Sequence, residues 1–257
     1  MLQRALSAEV IDPAVLNDEQ KSMFIDKLYD LHQKIFDGVE RDTFIAYVVA
    51  SPAEWTRIRI YKNTQNDWVG YCAVHRFHKQ VENRKLVIFR AEAGILRLYR
   101  GRRMTLWFGF TEAIKYRLRH PFKSIYYFGS FVHPSVLYMF ARYMHKLYPL
   151  PDVAIPEKIK RLMLKLGDIF YLEPIEGQHE FVRNVGWITL ESKDDREFWQ
   201  HHQNATVKFY IRTNPDYVNG NGLLILMPLT FSNIFLSLFR FLIDKIKHIF
   251  KSGNRAK

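Results

Sequence analysis

The amino-acid sequence predicts an α/β (α+β) fold: a mixed central sheet flanked by helices, with an extra amphipathic helix at the C-terminus. Three observations predict it. Residues 55–98 read as a three-stranded meander, with turn chemistry at residues 63–67 and 82–84. An arginine-rich turn around Gly101 follows at once, and residues 103–148 then read helix, strand, helix. The C-terminal residues 231–250 are dense in Phe, Leu and Ile. At 257 residues and 48% apolar content the chain can bury a full core, which argues against disorder.

Residues 1–17 carry no periodic pattern. Asn17-Asp18-Glu19 is helix-start chemistry, and Met23, Phe24, Leu28, Leu31 and Ile35 follow at helical spacing until Gly38. Residues 44–49 fit a strand or a helix and are broken by Ser51-Pro52. In the meander, Trp55, Arg57, Arg59 and Tyr61 alternate with Thr56, Ile58 and Ile60. The second strand covers residues 68–78. The third covers residues 85–98 and is long enough to bend or bulge near Gly94. A helix over residues 103–119 ends at His120-Pro121, and a strand covers residues 123–132. His133-Pro134-Ser135 then opens a helix running to about residue 148, before Pro149. Beyond Pro151 the pattern gives a basic helix over residues 155–169, a mixed stretch over 170–186, helix over 197–203 and strands over 205–211 and 222–229. The expected organisation is one domain over residues 1–230, with core 20–150, an insertion at 151–204 and C-terminal strands in 205–229, followed by an apolar and basic tail over 231–257.

Composition narrows the partners. The net charge of +12 implies attraction to something acidic: nucleic acid, anionic lipid, a phosphorylated cofactor or an acidic carrier protein. No nucleic-acid-binding motif is present. The single cysteine, Cys72, excludes an intrachain disulfide, fits a reducing compartment and reads as a small buried residue. Residues 1–10 carry no apolar leader segment, so the expected location is cytoplasmic. His75 and His78 face opposite sides of a strand and no Cys/His cluster exists, so no metal is expected. Neither a Gly-x-Ser-x-Gly elbow nor a Walker loop occurs. Residues 222–243 are long enough to cross a bilayer, yet Pro228, Ser232-Asn233 and Arg240 interrupt them. A packed helix and an interfacial helix on the anionic inner face of a membrane both fit residues 231–257.

The candidate site is the strand-to-helix junction. Leu96, Leu98, Arg100, Gly101, Arg102, Arg103, Met104 and Thr105 place free backbone donors and a positive helix end beside guanidinium groups, which suits a phosphate. Glu92, in an apolar strand, is expected to have a carboxyl pKa raised by burial and to serve as a base, or else to reach solvent or pair with Arg90. His133 opens a helix after a strand, as an active-site group or as a cap.

The element order over residues 55–148 resembles the core of the GNAT acyltransferase superfamily. Arg100-Gly101-Arg102-Arg103-Met104-Thr105 stands where that family has its Gln/Arg-x-x-Gly-x-Gly/Ala turn, whose amides hold the pyrophosphate of acyl-CoA. Arg103 and Thr105 replace two small residues. Residues 141–148, Ala-Arg-Tyr-Met-His-Lys-Leu-Tyr, resemble the family's Leu-Tyr-x-Lys-x-Gly-Phe segment, which makes Tyr143 the proton donor to the departing thiolate. The resemblance implies transfer of an acyl group, long-chain or lipid-related given the apolar second half, from acyl-CoA or an acidic acyl-phosphopantetheine carrier protein to an amine. The competing expectation is a non-catalytic basic protein that binds membrane or nucleic acid.

Overall fold

The structure is a computed structural model that describes residues 7–101 and 104–253. Its strands are β1 (Ser7–Ile11), β2 (Phe36–Asp37), β3 (Trp55–Lys62), β4 (Trp68–Val81), β5 (Arg84–Ile95), β6 (Ser124–Phe131), β7 (Val182–Asn184), β8 (Ile188–Thr189) and β9 (Asn221–Pro228). Its helices are α1 (Asp18–Gln33), α2 (Arg41–Phe44), α3 (Met104–Arg119), α4 (Pro134–Tyr143), α5 (Glu157–Ile169), α6 (Lys193–Gln200), α7 (Ala205–Thr213) and α8 (Phe231–Gly253). Seven strands form one sheet in the order β1-β3-β4-β5-β6-β9-β7, and β2 pairs with β8 apart from it. Every pairing is antiparallel except β5 with β6. This is the expected mixed sheet flanked by helices, with the extra C-terminal helix in place.

The alternation in β3 sorts the two faces. Ile58 and Ile60 are fully buried on one side, against Phe24, Leu28 and Leu31 of α1 and against Phe44. Tyr61 turns to the other side, into the larger core that β4, β5, β6 and β9 share with α3, α4, α5 and α8. Each fully buried Leu or Ile contributes about 1.5–3 kcal/mol of transfer free energy. Asn17 caps α1 in a reciprocal capping box with Gln20, and Asp18 and Glu19 complement the helix dipole.

Four expectations give way. Residues 7–11 form β1; this edge strand is largely exposed, so no apolar alternation marks it. Residues 205–211 belong to α7 rather than a strand: Asn204 accepts from Thr206 N–H, and Val207 and Tyr210 are buried at helical spacing. No bulge occurs near Gly94, because β4 and β5 keep one register from Val81/Arg84 to Gly70/Ile95. Helix α4 stops at Tyr143, short of residue 148, because backbone groups of residues 144–146 bond to α8 and Tyr148 bridges to Leu226.

The docking of α8 is a polar ladder. Asn233 accepts from Lys146 N–H at 2.7 Å and donates to Lys146 O and Pro228 O. Ser237 Oγ accepts from His145 N–H, Arg240 donates to Met144 O, and Asp244 accepts from Tyr143 and Arg142. The polar side of α8 therefore faces protein, while Phe231, Phe235, Phe239, Leu242 and Ile246 are exposed. No helix among the described residues is long and apolar enough to cross a membrane. The run over residues 222–243 divides into β9 and the start of α8.

Candidate active site

Strands β5 and β6 run parallel only over residues 86–89 and 124–127. Past that point β5 stays with β4 up to Ile95, while β6 stays with β9 up to Phe131. The two strands part, and the β6-facing edge of residues 90–94 has no strand partner. A cleft of about 910 Å³ fills the opening, near the upper end of the roughly 300–1,000 Å³ common for small-molecule sites. Its inner part is apolar, with Leu106, Phe110, Phe131, Phe140 and Met227 among its walls.

The structure brings Glu92, Leu98, Arg100, Gly101, Met104, Thr105, His133 and Tyr143 to this cleft. Leu96 stands apart from it: its N–H donates to Val69 O, and its side chain packs partly buried between the two cores. Arg102 and Arg103 lie outside the described residues.

At one end of the cleft Gly101 takes φ +85°, and nothing lies within 4 Å of where a Cβ would stand. The α3 N-terminus begins three residues later, and its first N–H groups have no intrahelical acceptor. The guanidinium groups of Arg100 and Arg97 are already engaged. Arg100 donates from Nε to Ile95 O and from Nη2 to Leu190 O, and Arg97 pairs with Asp195 at 2.7 Å. Arg100 and Arg97 fasten the turn to residues 190–195.

Glu92 corrects its expectation. Burial alone would raise its carboxyl, but the charges of His75 and Arg90 outweigh that and hold it below the usual carboxylate range. His75 Nε2 lies 2.9 Å from Glu92 Oε2, with an approach too oblique for a good hydrogen bond, and Arg90 Nη2 is 3.7 Å from Oε1. A carboxylate held this way is a weak proton acceptor and a fixed negative charge.

Tyr143 is buried, and its hydroxyl donates to Asp244 Oδ2 at 3.0 Å. Its ring packs 5.2 Å from that of Phe241, which also meets Trp107 of α3. Cys72 is buried as expected, and burial pushes its thiol pKa up.

His133 is both cap and cleft residue. Its Nδ1 accepts from Ser135 N–H at 3.2 Å and lies 2.7 Å from Ser135 Oγ, while Nε2 lies 3.1 Å from Glu191 Oε2. The Glu191 side chain is only 2% exposed. Burial would raise its carboxyl, but His133 and Arg196 more than offset this and keep it below the usual range. Sequence reasoning missed Ser135 and Glu191. Ser135 was visible only as part of a cap, and Glu191, 58 residues beyond His133, carries no local signal.

No family model matches the sequence, and no curated protein does. Among solved structures, the chain is similar to Arabidopsis thaliana Naa50 in complex with the bisubstrate analogue CoA-Ac-MVNAL, at 16% identity and TM-score 0.35, over 59% of this chain and 93% of that one. It is also similar to Arabidopsis thaliana NAA60 in complex with acetyl-CoA, at 12% identity and TM-score 0.37, over 53% and 84% of the two chains.

Proposed function

We propose that this chain is an N-acyltransferase that moves an acyl group from acyl-CoA, or from the phosphopantetheine arm of an acidic carrier protein, to an amine. One observation carries the reading: β5 and β6 part beside a cleft whose end is closed by the Gly101 turn and the α3 N-terminus. The unpaired edge of residues 90–94 offers an extended pantetheine arm the hydrogen bonds of a strand partner. The amides at Gly101, Met104 and Thr105 offer its phosphate a cradle. The apolar inner walls favour a long acyl chain over acetyl.

His133 is the base. It takes a proton from the amine, the nitrogen attacks the thioester carbonyl, the C–S bond breaks, and Tyr143 returns a proton to the thiolate. The Tyr143 hydroxyl reaches that role by rotating its hydrogen away from Asp244. Glu92 contributes fixed charge at the cleft wall. Calorimetric titration of the folded chain with acyl-CoAs and acyl-carrier proteins of several chain lengths, followed by amide-product assays, tests the reading. Binding that tightens with chain length is expected; absence of binding to all of them refutes it.

The exposed apolar row on α8, followed in sequence by Lys245, Lys247 and Lys251, supports a cytoplasmic protein held peripherally on an anionic membrane. Flotation with vesicles containing phosphatidylserine tests this. The variant F235E/F239E/L242E is expected to stay behind while the wild type floats; equal flotation of both removes the claim.

A further inference from the structure

We propose that Ser135, His133 and Glu191 form a nucleophile relay in which Ser135 Oγ takes the acyl group of an activated ester or thioester before an amine or water accepts it. The inference goes beyond the transfer reading, since a direct amine attack needs no serine and the relay needs no CoA.

The direction of each hydrogen bond orders the three groups. A backbone N–H can only donate, so the Ser135 N–H makes His133 Nδ1 an acceptor. The ring proton therefore sits on Nε2, aimed at the Glu191 carboxylate 3.1 Å away. With a lone pair on Nδ1, the Ser135 hydroxyl at 2.7 Å must be the donor. Nucleophile, base and orienting carboxylate thus stand in the order that activates a serine.

The surroundings exceed what a helix cap requires. A cap needs one acceptor for one N–H. Here a nearly fully buried carboxylate stands behind the ring. Arg196 Nε donates to its other oxygen at 3.0 Å, and the Tyr217 hydroxyl donates to that same oxygen at 3.5 Å. The rings of Trp199 and Tyr217 meet the imidazole edge-on from 5.7 and 5.6 Å and fix its plane. Ser135, His133 and Glu191 all line the cleft.

In the first step the Ser135 proton passes to Nδ1, a bond forms from Oγ to the acyl carbon, and the C–S or C–O bond to the leaving group breaks. The imidazolium, paired with Glu191, gives its proton to the leaving group. In the second step an amine or water gives a proton to Nδ1 and bonds to the acyl carbon. The ester bond to Ser135 breaks, and Oγ takes the proton back. Glu191 is a positioning residue, since it acts through the ring.

The test is labelling of the full chain with an alkyl fluorophosphonate, read by peptide mass spectrometry. Ser130 also lines the cleft, so the site must be mapped. An adduct on Ser135 is expected, absent in Ser135→Ala and formed at least about 100-fold more slowly in His133→Gln. Glu191→Gln is expected to slow it when labelling is run well below that variant's own melting transition. If Ser135→Ala does not fold, Ser135→Cys is used instead, and alkylation of its thiol by iodoacetamide must slow in the His133→Gln background. No adduct on Ser135 in folded wild-type chain, or labelling indifferent to His133→Gln, overturns the relay. Calorimetry with acyl-CoA on the same preparations separates the two readings. An adduct without CoA binding supports the relay and removes the transfer reading; CoA binding without an adduct does the reverse.

Discussion

Gly101 and Gly177 form a natural matched pair. Both hold positive φ, +85° and +75°, and neither has an atom within 4 Å of its missing Cβ. Gly101 lines the cleft and Gly177 does not. A β-branched L-residue in this region costs about 1–2 kcal/mol. For a domain of this size 1 kcal/mol moves Tm by about 2–4 °C, so G101V and G177V should each lower Tm by about 2–8 °C. Their ligand binding should differ. In G101V the turn either relaxes to negative φ, which turns its amides away, or places methyl groups over them. Losing one charge-assisted bond to phosphate, worth about 1.5–3 kcal/mol, weakens binding about 10- to 100-fold. Melting curves and calorimetric titration with one acyl-CoA measure both quantities. Equal acyl-CoA affinity in the two variants would refute the assignment of the phosphate cradle to this turn.

Three further outcomes follow from buried polar groups. Burial lowers the His32 pKa to about 4, and Nδ1 of the neutral ring lies 2.8 Å from the Tyr71 hydroxyl. The unfolded chain therefore binds an extra proton between pH 6.5 and about 4, and stability falls by about 2–3 kcal/mol from pH 7 to pH 4.5. Denaturant unfolding at both pH values should show this loss in the wild type and not in His32→Gln. Glu92→Gln leaves Arg90 without its buried counter-charge and should cost about 3 kcal/mol at pH 7. Because the Glu92 carboxyl lies below its ordinary range, that difference persists down to about pH 4.5 and closes as pH falls further. Asn233→Ala orphans the backbone groups of Lys146 and Pro228 and should cost about 3 kcal/mol, against about 1 kcal/mol for Ser237→Ala, both read from thermal melts.

The meander, α3, β6 and the start of α4 were legible because their signals are local: alternation in residues 55–61, turn residues at 63–67, His120-Pro121 as a stop and Pro134 at a helix start. What tertiary partners decide was not. Helix α4 ends where α8 claims its backbone, and that ladder joins residues about 90 apart. Residues 205–211, rich in β-branched and aromatic side chains, scan as a strand, yet a capped end and burial of Val207 and Tyr210 make them helical. In the cleft, the turn and His133 could be read from sequence. The state of Glu92 could not, since His75 reaches it from the neighbouring strand. Glu191 could not either, since the chain returns to His133 only after α5 and β7.

Amide hydrogen exchange, compared with and without saturating acyl-CoA, addresses the parted strands directly. If the pantetheine arm takes the place of a strand partner, amides within residues 90–94 on the β6-facing edge become protected, while those paired with β4 change little. Saturating ligand that leaves the exchange of residues 90–94 unchanged would contradict the account.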